Sequence, residues 1–263
     1  MKRIRTLIGA AVLVVAAAGC HHGQRLIRPT VDPEMLKLSK DELFKRGEAQ
    51  YNRKKFAPAR AYYAFLYENY PNDPLGRRSL LRVADSYFAQ GDAVNLVEAQ
   101  YKYRDFINRY PGSENADYAM LQIANVAYKQ MGRADRDQLK THEAVDKLNE
   151  MIAAYPHSKY RPDAEKNLQE AQDRLARHEL VIAEFYMKRK SYTAAVARLN
   201  GIVEHFPNYK ERDATFFDLG RSLEALGRKG EARLYYERVV TEFPASQFAK
   251  QAKSRLDQPT AKA

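Results

Sequence analysis

Cysteine is almost absent: Cys20 is the only one in 263 residues, so no internal disulfide can brace the chain. Tryptophan is missing, and the twelve glycines form no phosphate-cradling loop. No apolar run reaches the roughly twenty residues that a spanning helix needs. The histidines scatter along the sequence, and His142-Glu143 has no second histidine four residues after the first, as a zinc-protease helix would require. His21-His22 reads as a solvated pair rather than a metal site. No nucleophile stands beside a base at useful spacing. These absences point away from an enzyme and imply no metal and no soluble cofactor.

What is present begins with an export signal over residues 1–19. Met1-Lys2-Arg3-Ile4-Arg5 is cationic, Thr6 to Ala18 is apolar, and Ala17-Ala18-Gly19 is small enough to enter a peptidase cleft before Cys20. Cys20 stands where a lipoprotein signal places its acceptor thiol, so diacylglycerol and an N-acyl chain are expected on it. Each buried methylene of those chains contributes about 0.8 kcal/mol, enough in sum to hold the protein on a bilayer. His21 follows the cysteine, where lipoproteins retained in the inner membrane carry aspartate, so the expected address is the outer membrane, facing the periplasm.

The formal charge is +11, and removal of Lys2, Arg3 and Arg5 with the signal leaves 11 − 3 = +8. The cations come in short mixed clusters such as Arg53-Lys54-Lys55 and Lys188-Arg189-Lys190, each beside a predicted helix end. Nucleic acid is not an expected partner of an exported chain. Apolar residues make up 45% of the sequence, ample for a core. The 18 tyrosines suit interhelical packing with a polar tip, and wet protein interfaces as well.

The strongest pattern is a recurring helix terminator, an aromatic followed by proline: Tyr70-Pro71, Tyr110-Pro111, Tyr155-Pro156, Phe206-Pro207 and Phe243-Pro244. Proline cannot continue a helix and pushes the preceding residue out of helical geometry. Each terminator closes an amphipathic run at a spacing near the tetratricopeptide period. The expected fold is therefore all-α, a tetratricopeptide-repeat solenoid of five helix-turn-helix repeats with a C-terminal capping helix.

The residues fill that pattern. Repeat five has Phe216, Leu219, Gly220 and Leu223 on one face, a stop at Gly227, then Ala232, Tyr236 and Val239. Repeat four has Ile182, Ala183 and Tyr186, then Tyr192, Ala195, Leu199 and Ile202, with Ser191 as the expected N-cap. Repeat one opens on Ser39-Lys40-Asp41-Glu42, a capping box. Repeat two stops at Gly91 and reads as having about three extra residues between its helices. Repeat three carries a polar insertion around Gly132 to Lys140, a loop or a helix extension. Asp163 to Arg177 lacks glycine and proline, so a helix from Pro162 to Lys188, about 40 Å long, is expected there. The division is 20–38 lipidated tether, 39–156 repeats 1–3, 157–257 repeats 4–5 with the cap on Phe248, Ala252 and Leu256, and 258–263 disordered tail.

The tract Tyr155-Pro156-His157-Ser158-Lys159-Tyr160, followed by Asp173-Arg174-Leu175-Ala176 and Ala183-Glu184-Phe185-Tyr186, resembles the BamD family, lipoproteins of the outer-membrane β-barrel assembly machine. The likeness covers most of the mature chain. It implies an adaptor that grips a POTRA domain of BamA with its C-terminal half. The N-terminal half would receive unfolded outer-membrane proteins, and other Bam lipoproteins are further partners. Arg198, within Ala195-Val196-Ala197-Arg198-Leu199, falls on the family's BamA-facing arginine, where a guanidinium can pair bidentately with a carboxylate. Tyr70 corresponds to an aromatic of the family's substrate region, and Tyr62 and Tyr67 are further substrate-binding candidates. Repeat geometry alone does not choose partners, and a scaffold for peptidoglycan machinery is the alternative of a different class.

Overall fold

The computed structural model describes residues 34–258. The signal segment, Cys20, the tether up to residue 33 and the tail from 259 lie outside these residues. Eleven α-helices and no strand occupy the described residues. They pair as α1 (Lys40–Asn52) with α2 (Phe56–Asn69), α3 (Pro74–Gln90) with α4 (Ala93–Arg109), and α5 (Ala116–Lys129) with α6 (Leu139–Ala154). The series continues with α7 (Arg161–Lys188) and α8 (Tyr192–His205), then α9 (Arg212–Ala225) and α10 (Lys229–Glu242), and α11 (Ala249–Leu256) closes it. Each helix packs on the next in chain order, the contact pattern of a solenoid.

The five aromatic-proline signals produce one geometry. Tyr70, Tyr110, Tyr155, Phe206 and Phe243 are all C-caps, with φ between −133° and −128° and ψ between 53° and 65°. In each, the N–H donates to the carbonyl four residues back, and the carbonyl accepts from the N–H three residues on. The chain therefore leaves the second helix of every repeat along the same path, because the proline forbids a further helical residue.

Turns inside the repeats are tighter. Gly91 and Gly227 take φ values of 76° and 79°, which a residue without Cβ adopts freely. Repeats one and four put Lys54 and Lys190 at the equivalent place, each with φ 58°. A lysine there costs roughly 1 kcal/mol relative to glycine.

Several local expectations need correction. The extra residues of repeat two are not in its connection: only residues 91 and 92 separate α3 from α4, and both helices are lengthened to 17 residues. Ser191 stands at the N-cap of α8, but its side chain makes no capping bond. Ser39 does cap α1 by accepting from the Glu42 N–H, whereas the Glu42 carboxylate turns to Arg46 at 3.1 Å, so only half of the capping box forms. The Gly132 region is a loop, with α6 starting at Leu139. The end of the tether is not free chain: Met35–Lys37 form a 3-10 turn that buries Met35 in the core of repeat one.

Packing follows the small-and-large rule of paired helices. A Cβ on Gly47 would lie 2.6 Å from a ring carbon of Tyr63, and one on Gly220 would lie 2.5 Å from Tyr236. Both rings are buried, and their hydroxyls donate to Glu48 (2.6 Å) and Glu224 (2.9 Å) respectively. The core is segmented along the stack. Ala164 and Leu168, early in α7, pack with Leu148 and Met151 of repeat three. Ala176, Leu180 and Ala183, later in the same helix, join the core of repeats four and five, onto which Phe248 and Leu256 fold from the cap. α7 thus belongs to two cores.

Candidate functional site

The three candidate tyrosines lie on or at the end of α2, but they differ in what they offer. Tyr62 and Tyr67 are half-buried, while Tyr70 is 39% exposed. Tyr67 lies against the cores of repeats one and two, with Lys102 5.8 Å from its ring centre. Its hydroxyl pKa is pushed up to about 12, first by burial and then by the neighbouring Glu68 carboxylate. Tyr70 presents its ring to Lys40 at 5.5 Å while its backbone ends α2. Of these three candidates only Tyr70 has an open face, its main chain ending α2 while its ring stays at the surface; Tyr101 of α4 is more exposed still, at 62%.

Sequence reasoning missed the polar system that holds these repeats together. Glu48 of α1 receives two hydrogen bonds from Arg82 of α3, at 2.6 and 3.0 Å, in a fork-to-fork pair. Arg82 also donates to Asp85 at 3.1 Å, and Asp85 accepts from Tyr103 of α4 (2.7 Å) and Tyr118 of α5 (2.8 Å). The guanidinium lies over the Tyr51 ring at 3.9 Å. Burial disfavours the Glu48 carboxylate, but Arg82 and the Tyr63 hydroxyl outweigh it and hold its pKa below the ordinary value of 4.5. Burial pushes the Tyr103 and Tyr118 hydroxyls far up, with Asp85 adding to the effect, so both act as neutral donors. A cleft of about 350 Å³ opens over this system, lined by Arg78, Asn115 and Tyr160 among others. The available signal was a pair of charges, Arg82 and Asp85, set among the core positions Leu80, Leu81, Val83 and Ala84.

In the C-terminal half, α8 carries Arg198 to the surface. Its side chain is 46% exposed and donates to Glu179 of α7 at 3.0 Å. It borders a depression of about 590 Å³ formed between α6, α7 and α8, with an apolar floor of Leu175, Ala197 and Phe206. His142, His178 and His205, distant in the sequence, line this one depression. Their scattering along the chain is therefore not a scattering in space. A second cleft, of about 460 Å³, lies between α7, α9 and α11. Burial raises the Asp218 carboxyl pKa there although Arg221 draws it down.

None of these places combines a nucleophile with a base, and among the described residues no three of His, Cys, Asp and Glu are grouped to hold a metal ion. Nor is any described helix long and apolar enough to cross a membrane. The described surfaces present the exposed Tyr70 ring beside Lys40 on the N-terminal side and, on the C-terminal side, a depression bordered by Arg198 and lined by Leu175, Ala197 and Phe206.

The family model YfiO, described as outer membrane lipoprotein, matches residues 37–236. The chain belongs to this family. It is 27% identical over 225 residues to the outer membrane protein assembly factor BamD of Caulobacter vibrioides, covering 85% of this chain and 72% of that one. With the factor of the same name from Haemophilus influenzae it shares 26% over 239 residues, 86% of each chain. Among solved structures, the TPR2AB-domain:pHSP90 complex of yeast Sti1 is similar at a TM-score of 0.45 and 15% identity, covering 82% of this chain and 81% of that one. The likeness to the BamD family read from the 155–186 tract stands with these relatives.

Proposed function

We propose that this protein is an outer membrane protein assembly factor, an adaptor without catalytic activity that brings unfolded β-barrel proteins to the machinery that inserts them. The observation that carries the reading is the family match across residues 37–236, to which named assembly factors also align over most of their length. In this reading Cys20 bears the acyl chains that moor the protein to the periplasmic side of the outer membrane. Repeats 1–3 receive nascent outer-membrane proteins through the Tyr70 surface, with Tyr62 and Tyr67 at its edge. Repeats 4–5 engage a POTRA domain of BamA through Arg198, and other Bam lipoproteins occupy remaining faces. The exposed guanidinium supports that role, since Glu179 occupies only part of its donor fork.

Depletion tests the reading as a whole: folded outer-membrane porins should fall before cell-wall composition changes, and the reverse order would refute it. Arg198→Glu tests the assignment of the surface. The variant should lose BamA in a pull-down with its helical circular dichroism unchanged, and retained BamA would remove Arg198 from the interface.

A further inference from the structure

Cations gather at one end of the helix pairs. The turns inside the five repeats, from the one between α1 and α2 to the one between α9 and α10, hold eight lysines and arginines against three carboxylates, whereas the turns that follow each repeat hold two against three. Antiparallel pairing puts turns of the first kind at one end of each repeat and those of the second kind at the other. At Lys54 and Lys190 a lysine occupies the left-handed position that Gly91 and Gly227 fill in repeats two and five. A side chain kept where the backbone favours glycine points to a use for that side chain.

The tips of repeats four and five stand apart from the rest in two respects. They project: the repeat-three loop is held to α7 by Arg174 at the Gly132 carbonyl and by His178, whose Nδ1 lies 2.6 Å from the Ala134 carbonyl, and α7 then continues for ten residues, about 15 Å, to Lys188. They also carry large apolar side chains in the open. Phe185 is 52% exposed in the last turn of α7, with the Arg189 guanidinium 5.2 Å from its ring centre, and Leu226 is 37% exposed at the end of α9. Lys188 and Ala225 line one cleft, which brings the two tips together.

Around this apolar pair stand Lys188, Arg189, Lys190 and Lys229, all exposed and none in an ion pair among the described residues. The nearby carboxylates are already engaged: Glu231 by Arg228 at 2.6 Å, Glu184 by Arg177 at 3.1 Å, Asp218 by Arg221 at 3.2 Å and Glu224 by Arg255 at 3.3 Å. Repeat one has a similar run of cations in Arg53, Lys54 and Lys55, but Phe56 beside it packs edge-on against Tyr51, and no large apolar side chain of that tip is exposed. Three of the four free cations at the projecting tips are lysines, compact charges on long apolar stems that can follow a mobile phosphate rather than fix a planar acceptor. Next to an open ring and an aliphatic side chain, they suit a bilayer surface, with phosphates for the charges and the acyl boundary for Phe185 and Leu226.

We propose that the joined tips of repeats four and five are a peripheral membrane contact for anionic phospholipid, with Phe185 and Leu226 entering the interface and Lys188, Arg189, Lys190 and Lys229 meeting the phosphates. It rests on the reading that acyl chains at Cys20 hold the protein at a bilayer, to which these tips add a second attachment from the other half of the chain.

The chain contains no tryptophan, so Phe185→Trp in the full acylated protein places a single indole at the site. In vesicles of phosphatidylcholine mixed with phosphatidylglycerol its emission should shift to the blue and be quenched by brominated acyl chains; in phosphatidylcholine alone neither should occur. Each cation near an anionic surface strengthens the contact about fivefold, so Lys188→Glu/Lys229→Glu in the same background should weaken it by more than about tenfold and abolish the shift. Lys54→Glu/Lys55→Glu makes the same change in net charge and should leave the quenching in place. Salt at about 0.5 M should release the tips of the unaltered Phe185→Trp chain while its acyl chains keep it on the vesicles. Emission that does not differ between the two vesicles overturns the proposal. So does quenching that the repeat-one variant abolishes equally, which would make it an effect of net charge, or a shift that requires the POTRA-containing part of BamA instead of lipid, which would make the face a protein interface. Failure of the anchor reading shows separately, as a native chain that does not float with phosphatidylcholine vesicles.

Discussion

Glycine-to-alanine exchange in a helix normally stabilises, by about 0.5–1 kcal/mol, because alanine loses less backbone freedom on folding. In this protein the sign should depend on what meets the new methyl group. At Gly201 of α8 nothing lies within 4 Å of the position a Cβ would take, so Gly201→Ala should raise the melting temperature by roughly 2–4 °C. At Gly47 and Gly220 the Cβ would stand 2.6 and 2.5 Å from a tyrosine ring that is itself buried and cannot swing aside. Overpacking of this kind costs about 1–3 kcal/mol and should outweigh the helix gain. At Gly76, in the first turn of α3, the Cβ would lie 1.8 Å from the Tyr70 carbonyl oxygen, and relief demands movement of the backbone. Gly76→Ala should therefore be the most harmful, at more than about 3 kcal/mol. Thermal and urea unfolding followed by far-UV circular dichroism would rank the variants with Gly201→Ala above the native chain, Gly47→Ala and Gly220→Ala below it, and Gly76→Ala last. A Gly76→Ala protein as stable as the native one would refute the reasoning that repeats are spaced by contact of backbone on backbone.

The charged system of the N-terminal repeats gives a pH prediction. Glu48 has a depressed pKa in the fold, so its contribution is present above the ordinary value of 4.5 and is lost as the pH falls through the lower folded value. Urea midpoints of Glu48→Gln should therefore fall less steeply on acidification than those of the native chain, and Arg82→Ala should cost about 2–4 kcal/mol near neutrality. Lys54→Gly and Lys190→Gly should each stabilise by roughly 0.5–1 kcal/mol, because glycine relieves the left-handed backbone there; a loss in both would contradict that account. Phe248→Ala removes a ring stacked on Phe217 at 5.0 Å and should loosen α9 and α10 selectively, seen as faster amide exchange in those helices than in α1 to α6. Cys20→Ala should move the protein from the membrane to the soluble fraction of the cell envelope, and retention on membranes would show that something other than acylation anchors it.

The architecture was legible because its determinants are local. A proline after an aromatic ends a helix whatever surrounds it, and five such signals gave the number of repeats and the order of helices, while the lack of glycine and proline from Asp163 to Arg177 gave the length of α7. The same locality misled where two local solutions compete. Extra residues in repeat two could lengthen a turn or the helices, and packing chose the helices. Ser191 looks like a cap in sequence, yet its φ and ψ of −85° and 62° differ from the extended geometry at the side-chain caps Ser39, Asp73 and Asp92. The surfaces were only partly readable. Arg198 and Tyr70 were singled out by likeness, but Glu48 of α1 meets Arg82 and Asp85 of α3 across the stack, and His142, His178 and His205 come from three helices. Proximity of that sort is a product of the superhelix, and no periodicity in one segment encodes it.

Because α7 contributes to two hydrophobic cores, the molecule has no clean seam. An expressed fragment ending at residue 156 would leave Leu148 and Met151 without the cover that Ala164 and Leu168 provide, and it would tend to self-associate through that raw edge. Dissection into separately soluble N-terminal and C-terminal halves would need each piece to keep its own copy of the shared rod, or a substitute surface painted polar in its place.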